Sequence, residues 1–118
     1  MTHEEQAVLI WPVLAFAARM QRVVTYGELE GLTGIPAQFQ NHPLHLIHLY
    51  CERQKSPPYP VLNSIVVNQE TGFPGSEFPK KMTPMEFLVE RARVYTFPWS
   101  VRDKPRSEDF KTSQSATA

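Results

Sequence analysis

Eleven prolines are spread through 118 residues, nearly twice the usual share of roughly 5%. Each fixes its own φ, removes a backbone donor and pushes the residue before it out of the helical region. A chain divided in this way folds as short elements joined by constrained, extended links, and long uninterrupted helices are not expected. Residues 55–60, with Pro57, Pro58 and Pro60, read as polyproline-like chain. Pro36, Pro43 and Pro84 stand where a helix can begin, a first-turn position with no use for an amide hydrogen.

Between these stops there is enough apolar material for a core, with 42% hydrophobic and 11% aromatic residues against 20% charged, a balance of globular rather than disordered chains. The length fits one domain, expected over residues 1–102, with 103–118 as a mobile polar tail that has nothing to bury. A single cysteine, Cys51, excludes an internal disulfide and points to a reducing, cytoplasmic address. The most apolar run, 8–20, is too short to span a bilayer and lacks the basic flank of a signal peptide, so no membrane partner is expected. Formal net charge is zero, so composition alone gives nucleic acid no general attraction.

Local signals place the elements. A first helix is expected over 4–22, capped by Thr2, with Glu4 and Glu5 at its positive end and Pro12 either kinking it or marking its start. Val23 and Val24 form an extended link. Thr25-Tyr26-Gly27-Glu28 has the Thr-x-x-Glu form of a capping box and opens a short helix to about Leu32, which Gly34 and Pro36 close. A third helix lies within 37–54, capped at Asn41 or His42 with Pro43 at its first position. Residues 61–68, around Ile65-Val66-Val67, carry the strongest strand signal. Residues 73–78 are expected to fold back as a wing-like arm. Thr83-Pro84-Met85-Glu86 opens a last helix to about Val94, with Met85, Phe87, Leu88 and Ala92 toward the core, and residues 95–99 form an aromatic dock.

The order Arg22-Val23-Val24-Thr25-Tyr26-Gly27-Glu28-Leu29, then Gly34-Ile35-Pro36, a helix, Pro60 and Val66-Val67 resembles the DNA-binding domain of O6-alkylguanine-DNA alkyltransferases and alkyltransferase-like proteins, over residues 19–75. The resemblance implies a winged-helix or helix-turn-helix fold in which Tyr26 occupies the position of the tyrosine that helps rotate a nucleotide out of the duplex. Three departures accompany it. The family's Pro-Cys-His-Arg run is replaced by Pro60-Val61-Leu62-Asn63-Ser64-Ile65, without the thiolate that alkyl transfer needs. The family's intercalating arginine is missing, since no Arg or Lys occurs between Arg22 and Arg53, and over 23–54 Arg53 stands against Glu28, Glu30 and Glu52. The family's Pro-Gly ahead of the motif is replaced by Met20-Gln21.

Other constellations are weak. His42, His45 and His48 recur at helical steps of three without a carboxylate or thiol expected to complete a metal set, so no metal and no cofactor is assigned. Cys51 reads as a small buried hydrophobe. The turn 68–76, with Gly72 and Gly75, could form an anion nest but reads as an ordinary turn. Basic charge gathers only later, where Lys80, Lys81, Arg91, Arg93, Arg102, Lys104 and Arg106 outnumber Glu86, Glu90 and Asp103.

The expectation is therefore an α+β, helix-rich, winged-helix-like domain with a short β-hairpin wing, and no enzyme. If it meets DNA, Tyr26, Gln38, Gln40, Asn41, Asn63, Ser64 and Asn68 are the residues to do so. A protein partner, on a scaffold that has lost DNA binding, is the alternative; a homodimer through exposed aromatics is open, and an enzyme using the space around Asn63 and Ser64 ranks last.

Overall fold

A computed structural model describes residues 1–99 and 104–111. Among them are four α-helices, α1 (His3–Arg19), α2 (Tyr26–Thr33), α3 (Asn41–Arg53) and α4 (Pro84–Thr96), and two short strands, β1 (Val24–Thr25) and β2 (Val66–Val67).

Three helices open on the same device. Thr2, Thr25 and Thr83 each accept a hydrogen bond from the amide three residues on, while Glu5, Glu28 and Glu86 reach back to the threonine amides at 2.8–2.9 Å. Those reciprocal bonds hold all three carboxyls below the usual range. Pro12 neither starts nor ends α1; it lies inside it on the exposed side. The helix closes through Gln21, whose φ of 56° is left-handed, with the Arg22 amide donating to the Ala17 carbonyl. That conformation suits glycine, and Gln21 adopts it here with a side chain.

After α2, Gly34 supplies a left-handed cap with φ 78°, and a short 3-10 turn, Ala37–Phe39, leads into α3. The cap of α3 is Gln40, not Asn41 or His42, and Pro43 is the third helical residue. Gln40 is wholly buried because its side-chain amide donates to the carbonyls of Tyr26 and Ile35, both at 3.0 Å. It pins the start of α2 to the turn that follows.

The expected strand over 61–68 is mostly a different element. Leu62–Ile65 is a buried 3-10 turn, and only Val66 and Val67 are strand. They pair in parallel with β1, Val24 opposite Val66 and Thr25 opposite Val67. The predicted β-hairpin wing is thus corrected: β2 has a parallel partner from earlier in the chain, and α2 and α3 form the crossover that such a pairing requires. Residues 68–78 follow as an irregular arm, since Pro74 cannot donate to a ladder and Phe73 and Phe78 turn inward onto Phe87, with ring centroids at 6.0 and 5.2 Å.

The core joins the α1 stripe Ala7, Ile10, Trp11, Leu14 and Ala18 to Leu44 and Ile47 of α3, Leu62, Ile65 and Val94. In α4 the expected inward set is mostly wrong. Phe87, Glu90 and Val94 face inward, while Met85, Leu88 and Ala92 are exposed. The helix is turned by Glu90, whose carboxylate accepts from the Val61 amide at 2.7 Å and from Arg93 at 2.6 Å. The aromatic dock forms as expected, with Trp99 donating from Nε1 to the Val94 carbonyl at 2.8 Å and standing edge-on to Trp11.

The polar tail was expected to bury nothing. Instead Ser107–Phe110 is a 3-10 turn, and Phe110 is 0% exposed against Tyr50 and Trp11, with Arg53 donating to the Asp109 carbonyl at 2.7 Å. One aromatic among polar residues is enough to anchor the segment. Residues 103 and 112–118 of the expected tail, and residues 100–102 of the expected domain end, lie outside the described residues.

Candidate binding surfaces

The seven residues expected to meet DNA do not form one surface. Gln38 and Asn41 are exposed at the entry to α3, and Asn68 is exposed at the start of the arm. Tyr26 is half-buried, its hydroxyl accepting from the Gly75 amide at 3.0 Å. It holds the arm against α2 and borders a cleft of about 500 Å³ with Thr25, Gly27, Asn68, Gln69 and Glu70. Asn68 is itself engaged, its Oδ1 accepting from the Glu70 amide at 2.8 Å. Gln40, Asn63 and Ser64 are buried, so none of the three can touch a ligand at the surface of this conformation.

Asn63 belongs to a small interior polar cluster that sequence reasoning missed. His48, 2% exposed, lies 3.2 Å through Nε2 from a Glu52 carboxylate oxygen, and its Nδ1 lies 3.4 Å from the amide nitrogen of Asn63. A proton on Nε2 satisfies this geometry, donating to Glu52 and leaving Nδ1 to accept from Asn63. Burial pushes the His48 pKa below 6.5, and the Glu52 carboxylate opposes the shift without reversing it. The i,i+4 spacing of His48 and Glu52 was the available signal. Among the described residues, no group of three His, Cys, Asp or Glu side chains could hold a metal ion.

Neither Cys51 nor Ser64 of this interior is placed as an activated nucleophile. Burial lifts the Cys51 thiol to about 12, far from the thiolate that a reactive cysteine must present. The buried Ser64 hydroxyl has no hydrogen-bond partner to take its proton.

The surface facing outward from α1 and α2 has a different character. A groove of about 490 Å³ runs between them, lined by Pro12, Val13, Phe16, Val23 and Leu32 with Arg22 and Glu28 at its edge. Phe16 and Leu32 are 55% and 69% exposed. A second cleft of about 270 Å³ lies on the other side of the Pro12–Phe16 ridge, bounded by Trp99, Arg19 and Lys104. The signal for this surface was legible in α1, which is apolar beyond the one stripe its core needs: Leu9, Phe16 and Met20 fall outside that stripe and are exposed.

Charge separates the two sides. From 23 to 54 the exposed ionic residues are Glu28, Glu30, Glu52 and Arg53. Of the later basic group, Arg91 donates to the Gly72 carbonyl and lies over the Phe73 ring, and Arg93 is paired with Glu90. Two cations of this group are therefore engaged within the molecule. No helix is long and apolar enough to cross a membrane among the described residues. Set against protein-family models, curated proteins and solved structures, the chain finds no match.

Proposed function

We propose that this chain is a non-enzymatic binding module, a winged-helix-like frame that serves to dock a protein segment in the groove between α1 and α2. The observation that carries the reading is the groove itself, where bulky apolar side chains stand open to solvent around a concave surface of ligand-binding size. The frame supports it from the other side. Gln40, Asn63 and Ser64 are turned inward, and the outward ionic residues of α2 and α3 are mainly acidic, the opposite of what phosphate contacts need.

A DNA-binding reading keeps one specific support, the open cleft beside Tyr26, where the family resemblance places nucleotide handling. Two titrations separate the readings. Duplex DNA is titrated at low and at moderate salt, and a leucine-rich helical peptide is titrated while the fluorescence of Trp11 and Trp99 is followed. Docking predicts peptide binding that Phe16→Asp and Leu32→Asp abolish without loss of fold, and no duplex affinity at moderate salt. Duplex affinity that falls steeply with salt and is lost in Tyr26→Ala, with the groove variants unchanged, would overturn the reading.

A further inference from the structure

The groove's surroundings define the chemistry of its occupant, an inference that rests on the docking reading. Phe16 is a shared wall of both clefts, and cations gather around it. The Arg19 guanidinium lies 5.6 Å from the Phe16 ring centroid, Arg22 lines the larger cleft and Lys104 the smaller. Among the described lining residues of these two clefts, Glu28 is the carboxylate that answers them, 4.0 Å from Arg22 with both side chains more than half exposed. Three cations and one carboxylate therefore ring an apolar ridge in a molecule whose formal charge is zero. Such a rim favours a partner of opposite sign, chiefly by guiding encounter and excluding like-charged competitors.

The backbone of the occupant is constrained as well. The lining is mainly side chains of α1 and α2, whose backbones are already hydrogen-bonded, completed by Arg22, Val23 and Val24. The strand beside it, β1, has only two residues, too few to template an added strand. An occupant that lies there must satisfy its own backbone, which an α-helix does. We infer that an amphipathic helix lies across the Pro12–Phe16 ridge, its apolar anchors meeting Phe16 and Leu32 in the α1–α2 groove and its flanking Asp or Glu residues meeting Arg22 at that groove and Arg19 and Lys104 at the smaller cleft.

The test uses the full chain and two synthetic helical peptides with identical leucine anchors, one flanked by glutamates and the other by lysines. Binding is read by tryptophan fluorescence and by amide chemical shifts. The acidic peptide should bind at least tenfold tighter at low salt, and the difference should shrink as salt screens the rim. The paired change Arg19→Glu with Arg22→Glu should reverse the preference; Lys104→Glu, alone, should weaken it. All three sites are exposed, and a retained melting temperature shows that a change in binding is not loss of fold. Equal affinity for the two peptides, lost in Phe16→Asp, would refute the charge inference and leave the docking reading standing. No peptide binding at all, with Phe16→Asp indistinguishable from the parent chain, would remove both. Binding of a single-stranded oligonucleotide to this face in preference to either peptide, abolished by the arginine reversals, would also overturn the proposal.

Discussion

Phe110→Ala tests whether the turn Ser107–Phe110 belongs to the folded unit. The ring is completely buried, 5.4 Å from Tyr50 and 6.1 Å from Trp11 between centroids. Truncating a buried phenylalanine removes its transfer free energy and leaves a cavity, about 3–5 kcal/mol together. For 118 residues the unfolding entropy at the midpoint is roughly 0.25 kcal/mol per degree, so the melting temperature should fall by about 12–20 °C. Differential scanning calorimetry measures it directly. Phe110→Leu, which refills most of the volume, should recover more than half of the loss. A fall of less than about 4 °C in Phe110→Ala, equivalent to about 1 kcal/mol on the same scale, would mean that the turn Ser107–Phe110 is not seated on α1 and α3 in solution, and the docking of the chain end would have to be abandoned.

Gln21→Gly should stabilise the fold by about 1 kcal/mol, because a side chain is removed from a left-handed position; a lower denaturation midpoint in urea would contradict this. His48 and His42 both have pKa values pushed below 6.5, first by burial, so their neutral forms are favoured by folding. The stability they contribute is full above about pH 6.5 and is lost as pH falls from there through their folded values. Urea midpoints should therefore decline across that window, and less so in His48→Gln; equal slopes would show that His48 is not the proton-linked group. Cys51, with its thiol near 12, should resist alkylation by iodoacetamide at pH 8 until the chain is unfolded, and labelling as fast as a free thiol would refute its burial.

Features written within a few residues were legible. The Thr25 and Thr83 capping boxes, the Thr2 and Gly34 caps and the helical role of Pro84 depend on bonds spanning at most one turn, and they form where those letters stand. What was not legible depends on partners distant in the chain. Val66 and Val67 read as strand, but nothing local says that their neighbour is Val24 and Thr25 rather than a returning arm. Met85 and Leu88 fit an inward face by periodicity alone; the Val61 amide, 29 residues before Glu90, claims that carboxylate and turns the helix. Phe110 sits among polar neighbours, and its destination is supplied by Trp11 and Tyr50. Asn63 and Ser64 were marked by the resemblance alone; their burial is a tertiary fact. The groove was half legible, since an over-apolar α1 announces a second face without saying what borders it.

The two-residue sheet contributes little energy and much order to folding. Val24 and Val66 enclose about 40 residues of intervening chain, a closure whose entropy is worth about 3 kcal/mol at room temperature. So few backbone bonds cannot offset that unless α2 and α3 have already brought the ends together. The pairing is therefore a late event on the folding path, and it separates only when the enclosed segment opens as a whole. In hydrogen exchange, the paired amides should be released together with those of α2 and α3, as one cooperative unit. A sheet this small works as a latch: it records that the part of the molecule between its strands has finished folding.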